Sequence, residues 1–142
     1  MTATTPNVFS TSVLADDVDA TARFYVEHFG FERRLDLGWF TTLHHGDRPY
    51  ELDVVERSHA SVPEGFRRAP SGVILAFLVD DVDGVAARLA DAGVELVTPV
   101  TDEEYGQRHV FVTDPSGTLI DVVQLTTPSP EWLAANGLAE PA

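Results

Sequence analysis

Val13-Leu14-Ala15-Asp16-Asp17-Val18-Asp19 and Phe77-Leu78-Val79-Asp80-Asp81-Val82-Asp83 repeat one pattern, an apolar run followed by Asp-Asp-Val-Asp. Each leads on to a glycine, an apolar residue and a glutamate: Gly30-Phe31-Glu32 in the first stretch and Gly93-Val94-Glu95 in the second. The acid blocks are 64 residues apart and the glycines 63, so a single gap aligns the two stretches. Matching flanks at a near-constant offset point to a duplicated half.

Each copy reads as strand, cap, helix and stop. An aspartate at the start of a helix accepts hydrogen bonds from free amides and suits the positive end of the dipole. Val18, Ala22, Tyr25, Val26 and Phe29 recur at helical spacing, as do Val82, Val85, Ala86, Leu89 and Ala90. Gly30 and Gly93 then fit the left-handed position that ends a helix. Three strand candidates follow each helix: about residues 31–37, 39–45 and 49–56, then about 94–98, 107–113 and 118–125. With the leading strands, the predicted class is α+β: two tandem βαβββ modules forming a cupped mixed sheet around a cavity. The chain is expected to be one domain over 1–142. Its halves run over about 8–56 and 72–125, joined by a linker or lid at about 57–71, with a tail at 126–142 holding a short helix near Glu131 to Asn136.

Composition narrows the function. Of the 142 residues, 44% are hydrophobic, enough for a real core, and the net charge of −14 repels phosphate backbones and anionic lipid. Neither nucleic acid nor a membrane is an expected partner. The absence of cysteine removes disulfides, thiolate metal sites and a cysteine nucleophile. Residues 1–7 lack a basic region followed by an apolar stretch, so no secretory signal is expected there and a cytoplasmic setting is the default.

The run Thr113-Asp114-Pro115-Ser116-Gly117-Thr118 predicts a tight hairpin, with Asp and Pro opening a type I turn and Gly closing a bulged loop. Pairing Asp114 with Thr118 then sets Phe111 opposite Asp121 and His109 opposite Val123. His109, Phe111, Thr113, Leu119, Asp121 and Val123 would share one face, and a slip of one residue would replace them all. Asp121 inside Leu119-Ile120-Asp121-Val122-Val123 is a costly carboxylate unless it is paired, metal-bound or at the rim, so it reads either as an exposed edge residue or as one that lines the cavity. Glu51 and Asp53 likewise share a face, opposite Leu52 and Val54, and would make a cavity there acidic.

Asp17-Val18-Asp19-Ala20-Thr21-Ala22-Arg23-Phe24-Tyr25 with Phe29-Gly30-Phe31, and Phe111-Val112-Thr113-Asp114-Pro115-Ser116-Gly117-Thr118-Leu119-Ile120-Asp121, resemble the vicinal oxygen chelate superfamily. This superfamily comprises glyoxalases, bleomycin resistance proteins and dioxygenases. The likeness spans roughly residues 8 to 125. It implies the glyoxalase/bleomycin resistance fold, a small-molecule ligand and a homodimer whose halves pair within one chain or across two. In the metal-dependent members four strand positions carry histidine and glutamate ligands. They fall here on Ser10, Glu51, Ile74 and Asp121, so only Glu51 and Asp121 remain as residual metal positions. Two carboxylates leave a divalent transition metal under-coordinated, and no cofactor is expected unless His109, His44 or His45 completes a site.

Glu103-Glu104-Tyr105-Gly106-Gln107-Arg108-His109 resembles metal-free drug-binding members such as the bleomycin and mitomycin resistance proteins. The leading expectation is therefore a metal-independent small-molecule binder, sequestering an antibiotic or another hydrophobic or cationic compound. Its predicted liners are Ser10, Ser12, Trp39, Glu51, Tyr105, His109, Phe111 and Asp121. The alternative is a lyase, isomerase or dioxygenase with an atypical or absent metal, with His109, Asp121 and Glu51 as catalytic candidates. Trp132 is a further aromatic in the tail. Gln107 and Arg108 are expected to pair with nearby acids.

Overall fold

The repeated aspartates cap helices. Asp17 accepts a hydrogen bond from the Ala20 amide at the start of α1 (Val18–Phe29), and Asp81 accepts one from Gly84 at the start of α2 (Val82–Asp91). Gly30 and Gly93 follow the two helices at φ 73° and 83°, a conformation that costs a side chain dearly and glycine little. The computed structural model describes residues 2–139.

The chain divides into two compact units, Met1–Pro70 with Pro115–Gly117, and Ser71–Asp114 with Thr118–Ala142. Unit 1 holds β1 (Thr11–Ala15), α1, β2 (Glu32–Asp36), β3 (Phe40–His44) and β4 (Glu51–Glu56). Unit 2 holds β5 (Ile74–Leu78), α2, β6 (Thr101–Glu103), β7 (Gln107–Thr113) and β8 (Leu119–Leu125), then α3 (Pro130–Ala135) in the tail. The sheets repeat one plan: β1-β4-β3-β2 in unit 1 and β5-β8-β7-β6 in unit 2, each with one parallel pair and two antiparallel pairs. Among the described residues, two four-stranded mixed sheets and three α-helices make this the α+β fold expected from the repeat.

Strand alternation gives each sheet a helix face and an open face. In unit 1, Val13, Ala15, Leu43, Leu52 and Val54 are buried with Val18, Ala22 and Tyr25 of α1. Phe24, Phe29 and Phe31 pack against Tyr25, with ring centroids 5.3–6.4 Å apart. In unit 2, Val110, Val112, Ile120 and Val122 are buried with Val82, Ala86 and Leu89 of α2. Arg108 ties β7 to α2 by pairing with Asp83, and also binds Asp102 at 2.9 Å.

The strand expected over 94–98 is a correction. Within it only Leu96 makes a bridge, to Val112. The Thr98 hydroxyl takes the Phe111 amide, and Pro99 has no amide to offer, so the ladder restarts at β6. The leading strand starts at Thr11 rather than Val8, leaving Val8 and Phe9 exposed. The linker holds a single 3-10 turn, Glu64–Phe66. The tail helix begins on Ser129, which caps the Trp132 amide, with Pro130 in its first turn.

The hairpin has the predicted register, with Phe111 opposite Asp121 and His109 opposite Val123. Asp114 is buried, and its carboxylate accepts the Thr118 amide at 3.1 Å. Asp114→Ala is expected to cost about 1–3 kcal/mol by stranding that buried amide. Asp114→Asn keeps an acceptor and should cost less. Urea unfolding of the two variants checks the difference.

Candidate functional site

Helix packing settles one face of the second sheet and leaves the other to chemistry. The open face of unit 2 carries Ile74, Ala76 and Leu78 from β5, Leu119, Asp121 and Val123 from β8, and His109 and Phe111 from β7. Ile74 and Leu78 are exposed there. At its centre His109 is held from both sides. Its Nδ1 lies 2.8 Å from Asp121 Oδ1, and its Nε2 lies 3.1 Å from Glu103 Oε1. An ionised carboxylate only accepts, so with both acids ionised each ring nitrogen donates and the ring is held as an imidazolium.

Burial alone would lower the His109 pKa, but the hydrogen bonds and charges of Glu103 and Asp121 outweigh it and hold the pKa above the ordinary histidine value. The side chains of His109 and Asp121 are 9% and 14% exposed, which keeps their contact poorly screened. Tyr105 borders the same charges. Desolvation raises its phenol pKa, and the charges of Glu103 and Asp121 raise it further. Phe111 sits with its ring 5.2 Å from that of His109, and Tyr105 with its ring 6.3 Å from that of Trp132. Beside Glu103 a cavity of about 390 Å³ is bounded by Asp102, Glu104, Thr126, Thr127 and Ser129.

Tyr105, His109, Phe111 and Asp121 are thus four expected residues grouped in one unit. Glu103 is the member that sequence reasoning missed. It belongs to β6, opposite Gln107, and Gly106 closes the loop between them at φ 100°. The amide of Gly106 donates to the Glu103 carbonyl at 3.1 Å. The tail holds this loop in place: the Thr126 amide bonds the Gly106 carbonyl and the Ser129 amide bonds the Glu104 carbonyl, both at 2.9 Å.

The other expected residues lie in unit 1. Ser12 pairs with Asp53 across the parallel β1–β4 ladder. Burial raises the Asp53 pKa, the charge of Glu51 adds to the rise, and a hydrogen bond from Ser12 opposes it. Ser10 is exposed and precedes β1. Glu51 pairs with His44 across β3–β4 and accepts from Arg34 at 3.3 Å. Trp39 precedes β3, at the opposite end from Glu51, and its ring is stacked on His59 at 3.6 Å and 4°. One face of its indole is therefore covered by the linker.

The donors do not fit the family's metal. Ile74 has no donor atom and Ser10 offers only a hydroxyl, so of the four positions only Glu51 and Asp121 carry a strong ligand, each also hydrogen-bonded to Arg34 or His109. The two nitrogens of His109 face different carboxylates, so the three groups do not converge on one ion. Among the described residues no cluster of three His, Asp or Glu side chains is arranged to hold a metal. No helix among them is long and apolar enough to cross a membrane.

The solved structure of a glyoxalase/bleomycin resistance protein/dioxygenase from Nocardioides is similar at a TM-score of 0.71 and 20% identity, covering 88% of this chain and 87% of that one. TnmS3, an antibiotic binding protein from Streptomyces sp. CB03234, matches at a TM-score of 0.68 and 25% identity, over 87% of this chain and all of its own. A lactoylglutathione lyase from Agrobacterium tumefaciens matches at 0.65 and 24%, over 84% and 94%. No curated protein matches. The family model described as Glyoxalase/Bleomycin resistance protein/Dioxygenase superfamily matches residues 7–122, most of the chain, and the protein belongs to that superfamily.

Proposed function

We propose that this protein is a metal-independent binder of a small organic molecule, sequestering an antibiotic or another hydrophobic or cationic compound. The observation that carries the reading is the clamp of His109 between Glu103 and Asp121 on a face bearing Phe111, with Tyr105 in the loop that follows Glu103. A base needs a free lone pair, and His109 has none. Its role is to hold two carboxylates in place, with their remaining oxygens available to accept from a ligand. Two carboxylates and one imidazolium leave the face with a net negative charge, which suits a cationic or hydroxyl-rich ligand. Aromatic rings and exposed aliphatics supply the apolar part of such a site.

The similarity to an antibiotic binding protein supports the same reading. The alternative, a lyase, isomerase or dioxygenase of the same superfamily, asks for a metal that these donors supply poorly or for Asp121, Glu103 or Glu51 to take the proton in place of His109. The reading includes a cytoplasmic homodimer. Ile74, Leu78 and Leu125 remain 53%, 64% and 64% exposed, apolar surface of the kind that a partner subunit covers.

The test is calorimetric titration against a panel of planar cationic and hydrophobic antibiotics, with and without EDTA, alongside native mass measurement. Binding that is indifferent to EDTA, with no product formed, is the expected result. Binding abolished by EDTA, or turnover that survives EDTA and is lost in His109→Ala or Asp121→Asn, would overturn it.

A further inference from the structure

The end of unit 1 where β3 turns into β4 holds a second cavity, of about 210 Å³, bounded by Phe9, Arg34, His44, His45, Arg48 and Tyr50 among others. Its polar groups are donors with one exception. Arg34 Nη2 lies 3.0 Å from His44 Nδ1, and a guanidinium only donates, so Nδ1 is the acceptor and the His44 proton sits on Nε2. The Asp47 amide donates to His45 Nδ1 at 3.2 Å and fixes the same tautomer there. The exception is Glu51, and the Arg34 guanidinium covers it at 3.3 Å.

Arg48 makes no ion pair among the described residues. The lining sets two guanidiniums against one carboxylate, with Glu32 opposite His44 and Asp47 beside Arg48 just outside it, in a chain whose net charge is −14 and whose nine basic residues are all arginine. Arginine presents a planar fork that matches carboxylate and phosphate oxygens. A break in register between Arg33 and Leu35 of β2 accompanies this placement, as bulges commonly re-aim a side chain.

The rest of the lining is apolar and uncovered. Phe9 is 90% exposed and Tyr50 43% exposed, the latter with its ring 5.3 Å from that of Phe31. A bare inorganic anion would leave these rings wet. The volume falls below the roughly 300–1,000 Å³ usual for drug-sized ligands, so the occupant is compact.

We propose that this cavity binds a small aryl oxyanion, a carboxylate or a phosphate monoester. Its charged end meets Arg48, Arg34 and the Nε2–H of His44, and its ring lies against Phe9 and Tyr50. The site uses none of the unit 2 residues assigned above, so the two readings stand or fall separately.

Titration of the full chain with benzoate and phenyl phosphate tests this, with benzyl alcohol as the neutral control and inorganic phosphate as the control without a ring. Both aryl anions are expected to bind at least tenfold more tightly than either control, and the tighter of them identifies the oxyanion. Arg48→Ala and Arg48→Gln are each expected to weaken that binding tenfold or more, with thermal unfolding unchanged because Arg48 is exposed. Failure of both aryl anions to bind, equal binding of benzyl alcohol or inorganic phosphate, or full affinity in both Arg48 variants would each overturn the proposal.

Discussion

His109→Ala is expected to destabilise the protein by about 1–3 kcal/mol at pH 6, and by clearly less at pH 9. The magnitude is that of leaving buried hydrogen-bonding partners without a mate. Asp121 and Glu103 lose the cation between them, and Asp121, at 14% exposure, has little water to replace it. The pH dependence follows from the direction of the His109 shift. Its pKa is raised in the folded state, so the folded state binds the proton more tightly. That contribution is fully present below the unfolded value near 6.5 and is lost as pH rises through the folded value. Urea unfolding of wild type and variant at both pH values measures it. An equal gap at pH 6 and pH 9 would mean that His109 only fills space. The same variant should lose ligand affinity at unit 2, because the carboxylates that face the ligand are no longer held.

Gly106→Ala has the second large expected effect, about 2–4 kcal/mol. A Cβ at this position would stand 2.8 Å from Pro128 Cγ and 2.9 Å from the Thr126 carbonyl oxygen, and the latter is backbone that cannot rotate away. The residue also sits at φ 100°, where a side chain is strained even in open space. Gly117→Ala is the control. It has a similar φ of 95° and nothing within 4 Å, so it should cost only the conformational part, about 1–2 kcal/mol. Thermal melts separate the two variants. Gly106→Ala should also weaken ligand binding, since Glu103 and Tyr105 flank the displaced loop. Equal melting temperatures for the two variants would show that the tail yields freely.

These two glycines also explain what the sequence reveals and what it hides. Asp114-Pro115-Ser116-Gly117 announces its turn, since each residue has a known preference at its position, and the whole β7–β8 register follows. Glu103-Glu104-Tyr105-Gly106-Gln107 makes a loop of the same length, also ending in a glycine with positive φ, yet Glu104 and Tyr105 carry no turn preference. The short β6 therefore escaped notice, and with it Glu103, the second jaw of the His109 clamp. The competing candidate at 94–98 is richer in strand formers, but Pro99 and the Thr98 hydroxyl decide otherwise.

The Asp-Asp-Val-Asp repeat gave both helix starts because an N-cap is a local interaction. Trp39 shows the opposite case. Alternation offers it two faces, and nothing in the neighbouring residues reveals that His59, from the linker, will lie flat on it. Arg34 and Arg48 are equally invisible to strand alternation, since an irregular β2 and a loop bring them to one cavity.

Both helices sit on the same side of their sheets, and that has a bearing on how the two halves came to differ. Substitutions on the helix side disturb close packing, where even a methylene is felt. Substitutions on the far side disturb little. A repeated frame thus keeps the same packing in both halves while the bare surfaces differ. One copy accumulated arginine and histidine around Glu51, and the other enclosed an imidazolium between acids. On the two proposed readings, one plan of helix and sheet carries two surfaces of opposite charge preference.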